Sequence, residues 1–169
     1  FVGRLSPEKN LASLLPSLSQ LSKNTILKHF LIVGEGSERN KLRRLARAYG
    51  LNKQVVFVGA AFQIEKFLAR SKIFVLSSLG EGMPLAVLEA MGTGLPVVSS
   101  NYPGVEEVIQ RGITGYIYHD SAEFQTIVTT LLHNARLRDK VGKQARVYVR
   151  QHHSLKNIQY YLEALKLEA

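Results

Sequence analysis

Six short apolar runs punctuate the chain, at residues 1–3, 29–33, 54–58, 73–76, 96–99 and 115–118. Each is rich in β-branched or aromatic side chains. That is the pattern of a strand buried on both faces, as a parallel sheet demands. Stretches with helical spacing lie between the runs. Residues 10–21 carry apolar side chains at 11, 14, 15 and 18. Residues 37–49 open on Ser37, an N-cap candidate, and bring Leu42, Leu45 and Ala46 onto one face. Helical stretches at 63–69, 85–91, 105–110 and 122–132 follow. Beyond residue 134 the strand pattern stops, and helical segments at 136–151 and 155–167 close the chain. Strand–helix alternation with short connections predicts right-handed βαβ units. The expected fold is α/β, a doubly wound parallel sheet of about six strands with helices on both faces.

Composition narrows the class. The chain has 169 residues, 46% hydrophobic and 21% charged, which suits one globular domain over 1–169, with 135–169 as closing helices. The apolar runs are too short to span a bilayer. No charged and then apolar leader opens the chain, so a cytoplasmic setting is expected, peripheral to the membrane face at most. The absence of cysteine excludes disulfides, thiolate zinc sites and a cysteine nucleophile. The chain begins inside a strand without an initiator Met, so an upstream part is expected. The net charge of +9 points towards phosphate in some form.

In a doubly wound, Rossmann-like sheet, ligands bind beyond the carboxyl ends of the strands. The unusual residues fall in those loops. The loop after the fourth run reads Ser77-Ser78-Leu79-Gly80-Glu81-Gly82-Met83-Pro84-Leu85. Its glycines let a ligand approach the backbone, and Pro84 suits the first position of the following helix. Free N–H groups and the helix dipole there form an anion site, although an ordinary strand-to-helix turn explains the same residues. Glu89 sits in the middle of that helix among Leu85, Ala86, Val87, Leu88, Ala90 and Met91, where a buried carboxylate needs a partner. Glu81 lies two helical turns earlier, so the two carboxylates could bracket one ligand. A neighbouring arginine or solvent would satisfy Glu89 equally well. In the first loop, Arg4 and Lys9 flank a turn and suit a diphosphate, unless Arg4 simply pairs with Glu8. Gly34-Glu35-Gly36 resembles part of a dinucleotide fingerprint. Asn40 stands near the third glycine's place and no acidic residue ends the next strand, which argues against hydride transfer.

Taken jointly, these stretches resemble the C-terminal, nucleotide-sugar-binding domain of the family-4, or group 1, glycosyltransferases of GT-B fold. The matching segments are Val2-Gly3-Arg4-Leu5-Ser6-Pro7-Glu8-Lys9-Asn10, Leu31-Ile32-Val33-Gly34-Glu35-Gly36, Val56-Phe57-Val58-Gly59 and residues 77–94 with the Glu-x7-Glu spacing of Glu81 and Glu89. Gly94-Leu95-Pro96-Val97-Val98 and Gly112-Ile113-Thr114-Gly115 continue the pattern. The resemblance implies a retaining enzyme whose donor is a nucleotide diphosphate sugar, with no cofactor and no metal. By position, Gly3 borders the donor loop, Arg4 and Lys9 hold the diphosphate as it leaves, and Glu81 meets the transferred sugar. Backbone N–H groups at Gly82, Met83 and Leu85, beside Pro84, meet the distal phosphate. Glu89 accepts from the ribose, while Gly34, Gly36 and Ala61 border the base. The family's acceptor side belongs to an N-terminal domain, absent from this chain. The isolated chain is therefore expected to bind nucleotide weakly and to transfer nothing.

Three positions depart from the family pattern. Pro84 stands where glycine is common. Tyr102-Pro103-Gly104 replaces a Gly-Gly loop. His153-Ser154-Leu155 replaces an aromatic helix opening. Two windows concentrate the positive charge: residues 39–53 hold six basic residues and no acid, and 136–150 hold six and one acid. A solvated helix face accounts for both; an anionic membrane surface is the functional alternative. No aromatic-basic interleaving points to nucleic acid. A nucleotide-sugar epimerase and a non-catalytic binding or scaffold domain of the same fold are the competing readings.

Overall fold

The computed structural model describes residues 1–24, 26–82 and 84–153. Within them the apolar runs form five strands: β1 Phe30–Val33, β2 Val55–Gly59, β3 Phe74–Leu76, β4 Val97–Ser100 and β5 Gly115–Tyr118. All pairings are parallel, β1 with β2 in one sheet and β3–β4–β5 in another. In the second sheet Phe74 faces Val97 and Val97 faces Gly115. Phe74, Leu76, Val97, Val98 and Ile117 are buried, as the uninterrupted apolar runs require.

The α/β class stands, but the expected six-stranded sheet does not form as a single ladder. The first run contributes only a parallel bridge, Val2 with Val33. It is held by Gly3 N–H to the Val33 carbonyl and Val33 N–H to the Phe1 carbonyl, both 3.0 Å. The run leaves the strand direction at Gly3, too soon to extend a ladder.

Among the described residues six α-helices flank the sheets: α1 Leu15–Lys23, α2 Arg39–Ala48, α3 Glu65–Ala69, α4 Leu85–Thr93, α5 Ser121–His133 and α6 Ala135–His152. The helix expected over 10–21 is broken at its start. Asn10 adopts a left-handed conformation (φ 47°), so Pro7–Lys9 and Leu11–Leu14 form separate 3-10 turns before α1 begins. Ser37 does not cap α2; Glu38 occupies the N-cap position without a side-chain bond. The expected helix at 105–110 shortens to a 3-10 turn, Val105–Glu107, followed by Ile109 bonded back to Val105. The segment at 155–167 lies outside the described residues.

The carboxyl-terminal helices are capped by side chains. Asp120 accepts from Glu123 N–H (2.8 Å) and Asn134 from Leu137 N–H (2.9 Å). Arg138 donates to the carbonyls of Leu131 and Leu132, closing the end of α5. Helix α6 then packs on α4 at backbone distance. A Cβ at Gly142 would lie 1.9 Å from the Gly94 carbonyl oxygen, so no larger residue fits that crossing. Tyr148 anchors the far end of α6, donating to the Glu107 carbonyl (2.6 Å) with its ring against His152. Helix α6 thereby holds both α4 and the loop after β4.

The Gly142 contact yields a direct test. Gly142→Ala gains helix propensity, worth about 1 kcal/mol on its own, yet forces the two backbones apart. The expected outcome is a net loss of about 1–3 kcal/mol in urea unfolding. An unchanged or raised midpoint would mean that α6 does not bear on α4.

Candidate active site

The site starts from a crossing of main chains. Gly34 (φ 139°) lies so close to the first loop that a Cβ would fall 1.9 Å from the Gly3 carbonyl oxygen. At Gly36 it would fall 2.2 Å from the Leu5 carbonyl oxygen. Leu5 N–H donates to the Glu35 carbonyl (2.8 Å) and Glu38 N–H to the Leu5 carbonyl (2.9 Å). The Gly-x-Gly pair therefore serves this contact between the two loops, which fixes the path of residues 3–5. Neither glycine lines the cleft described below.

The first loop is next bonded to the loop after β3. Leu79 N–H donates to the Glu8 carbonyl (2.9 Å) and the Ser77 hydroxyl to the Lys9 carbonyl (2.7 Å). The Ser100 hydroxyl, at the end of β4, donates to the Ser78 carbonyl (2.6 Å). These contacts bring Lys9 to Glu81. The ammonium donates to both carboxylate oxygens, at 2.6 and 2.7 Å, and the Ser78 hydroxyl donates to one of them. The Glu81 side chain is only 11% exposed and that of Lys9 20%. Two donor groups thus make three hydrogen bonds to one carboxylate in a partly desolvated place.

A cleft of about 520 Å³ opens beside this pair. Gly3, Arg4, Lys9, Glu81, Gly82, Pro84 and Leu85 all line it. Arg4 is exposed and makes no salt bridge among the described residues. Glu8 also borders the cleft. Its carboxyl is held below the usual range, first by the Ser6 hydroxyl and its own N–H, with smaller help from Lys9 and Arg4. Gly82 and Gly80 leave open space where a side chain would stand.

Helix α4 begins at Leu85, with Pro84 as its N-cap and not its first helical residue. Only from Val87 onward do N–H groups return to the Pro84 carbonyl (2.8 Å). The first N–H groups of α4 therefore end at the cleft, where the helix dipole favours an anion.

Glu89 does not stand in a buried helix face. Helix α4 buries Val87, Ala90 and Met91, while Leu85 (63% exposed) and Glu89 share its open side. Partial desolvation, with the nearby charge of Glu65, raises the Glu89 carboxyl above its ordinary range. Glu89 lies outside the lining of the cleft, as do Gly34, Gly36 and Ala61. Ala61 sits on the loop after β2, next to the fully exposed Phe62. Met83 lies outside the described residues.

Sequence reasoning missed the serines that knit the loops, because Ser77 and Ser78 carry no motif of their own. It treated Tyr102 only as a departure. The residue is 5% exposed, and its hydroxyl has no hydrogen-bond partner among the described residues. Burial, then the charge of Glu81, pushes its phenol up to about 12, against a smaller opposing effect of the neighbouring Ser99. Tyr102 therefore remains a proton donor at any working pH.

Residues 1–148 match the family model described as "Glycosyl transferases group 1". The chain is 36% identical over 119 residues to the UDP-Gal:alpha-D-GlcNAc-diphosphoundecaprenol alpha-1,3-galactosyltransferase of Escherichia coli, covering 69% of this chain and 31% of that protein. It is 32% identical over 152 residues to the sulfoquinovosyl transferase SQD2 of Arabidopsis thaliana, covering 86% and 28%. Among solved structures, a TarM variant of S. aureus in complex with fondaparinux, alpha-GlcNAc-glycerol and UDP superposes with a TM-score of 0.91. That pair is 25% identical over 97% of this chain and 34% of the other. The chain spans about a third of the length of these relatives.

The convergence on Glu81 can be tested without any ligand. Glu81→Ala leaves the Lys9 ammonium facing a half-closed cleft without its anion and strips Ser78 of an acceptor. The expected cost is about 1–2 kcal/mol in chemical denaturation, below that of a fully buried pair because water reaches the cleft. An unaltered unfolding midpoint would show that the two loops hold together without it.

Proposed function

The chain belongs to the group 1 glycosyl transferases, and from that premise we propose that it is the donor-binding half of an enzyme that transfers a sugar, with retention of configuration, from a nucleotide diphosphate sugar to a glycan or lipid-linked acceptor. One observation carries the reading. Arg4, Lys9, Glu81 and the open end of α4 meet in a single cleft beyond the strand ends, although the first and last of them are some eighty residues apart.

The chemistry follows from charge. Breaking the bond between sugar and diphosphate leaves positive character on the sugar and negative charge on the departing diphosphate. Arg4 supplies a planar fork and Lys9 a compact charge for that anion. The N–H groups at the start of α4 add fixed donors that need no rearrangement as the charge develops. Glu81 holds hydroxyls of the transferred sugar, and the raised Glu89, on the outer side of α4, accepts from the ribose. Since Lys9 grips Glu81 in the free chain, the arriving diphosphate competes for that ammonium. Two cations and a helix end neutralise the anion, so the reading assigns no bound metal a part. Transfer by the whole protein is expected to persist in EDTA.

A lipid-linked acceptor draws support from the Escherichia coli relative, whose name pairs UDP-Gal with a diphosphoundecaprenol-linked acceptor. The basic helices give an anionic membrane surface something to meet. Arg39 and Lys41 are engaged by Glu35 and Glu38, and Arg43 lies over the Phe57 ring. Arg44, Arg47 and Lys53 are left exposed on the same side of the sequence. No helix among the described residues is long and apolar enough to cross a membrane.

Calorimetry with UDP, GDP and their sugars tests the donor site. Arg4→Ala should weaken binding of the preferred nucleoside diphosphate by at least about tenfold, the loss of one charge-assisted contact. Glu81→Ala should weaken the nucleotide sugar more than the bare nucleotide. Unchanged binding and unchanged activity of the whole protein in both variants would instead favour a non-catalytic scaffold.

A further inference from the structure

Buried polar groups without a partner are rare, and each one asks for an explanation. Among the described residues only two side-chain atoms are in that position, Gln54 Oε1 and the Tyr102 hydroxyl. Gln54 lies before β2, away from the cleft. Tyr102 lies two residues beyond Ser100, whose hydroxyl holds the Ser78 carbonyl, and Ser78 in turn donates to Glu81. Tyr102 is thus two residues from the serine that ties down the Glu81 loop, and the charge of Glu81 acts on its phenol. Ser99, its other neighbour, turns its own proton to the Ser100 carbonyl (3.0 Å).

Glu81 in the free chain has no need of another donor. Lys9 bonds both of its oxygens and Ser78 bonds one. Donor binding changes that balance, because the ammonium is drawn to the diphosphate. A carboxylate with 11% exposure would then be left with Ser78 alone. Such a group is costly unless another donor reaches it.

We propose that Tyr102 is a positioning residue for Glu81: its free hydroxyl is the reserve donor that takes over the carboxylate when Lys9 leaves for the diphosphate. This rests on the donor-site reading above for its trigger, but the partnership of Tyr102 with Glu81 is independent of any ligand. In this arrangement the hydroxyl stays unsatisfied in the resting site and becomes satisfied only in the loaded one. Part of the cost of drawing Lys9 away is thereby returned by a new bond, and Glu81 keeps its aim at the sugar.

The first experiment uses no ligand. Urea unfolding is measured for the chain, for Tyr102→Phe, for Lys9→Met and for the double variant. In the unmodified background Tyr102→Phe removes an unpartnered hydroxyl, so the folding equilibrium is expected to stay within about twofold or to rise. In the Lys9→Met background the phenol already serves Glu81, so the same change should lower the equilibrium about five- to tenfold. Equal effects in the two backgrounds would overturn the proposal, since a merely structural tyrosine shows no such coupling.

A second readout covers the case in which Lys9→Met does not fold. Calorimetry compares UDP, GDP and their sugars with the unmodified chain and with Tyr102→Phe. Because Glu81 serves the sugar, the variant should lose about fivefold in affinity for the nucleotide sugar while binding the bare nucleotide more nearly as before. Equal loss for both ligands, or no loss for either, would overturn the positioning role. If the unmodified chain binds no nucleotide sugar, the donor-site reading fails instead, and the unfolding cycle alone decides whether Tyr102 serves Glu81.

Discussion

The cleft depends on one set of bonds, those that join the loop at residues 4–9 to the loop at residues 77–82. Two main-chain carbonyls, of Glu8 and Lys9, accept from Leu79 N–H and the Ser77 hydroxyl. The ion pair of Lys9 with Glu81 closes the same seam with side chains. The Gly34–Gly36 crossing anchors the first loop and Ser100 the second, and these bonds join the two. The backbone bonds set the distance, and the ion pair sets which groups face one another across it. Arg4, the start of α4 and the open positions at Gly80 and Gly82 acquire a common destination only because that seam holds.

Support for the seam comes from far away. Helix α6 crosses α4 at Gly94 and Gly142 with no side chain between them, and at its other end Tyr148 holds the Glu107 carbonyl. One helix thus braces both the helix whose amino end faces the cleft and the loop that carries Tyr102. Some of the positive charge also serves to brace the fold. Arg138 closes the end of α5, and Arg39 and Lys41 hold nearby carboxylates.

The sheet class and the cleft were legible in the sequence for different reasons. Strands buried on both faces leave continuous apolar runs, and five of the six expected runs become strands. That Arg4, Lys9, Glu81, Gly82 and Leu85 line one cleft was legible because charged residues and glycines cluster in loops at one sheet edge. What escaped was geometry that composition does not encode. A glycine that faces a ligand and a glycine at a main-chain crossing are the same letter, so the crossing of Gly34 and Gly36 with residues 3–5 was not legible. The left-handed turn at Asn10 splits a helix that its apolar spacing supports. Helix α4 reads as apolar on all sides, yet its neighbours cover one side only, which leaves Glu89 in the open. Tyr102 stood out as unusual, but only the fold reveals that it is buried with a hydroxyl that meets no hydrogen-bond geometry among the described residues.

The crossing at Gly34 and Gly36 has a consequence for genetics. A random mutational screen scored by any output of the whole protein would flag these two positions although neither lines the cleft. The underlying defects would differ in degree: abundance of the protein would fall most at the glycines, less at Glu81, whose pair with Lys9 closes the seam, and least at the exposed Arg4. Pairing each activity score with a measure of how much protein survives in the cell would separate the two groups, and would sort every other glycine in the chain by the same criterion.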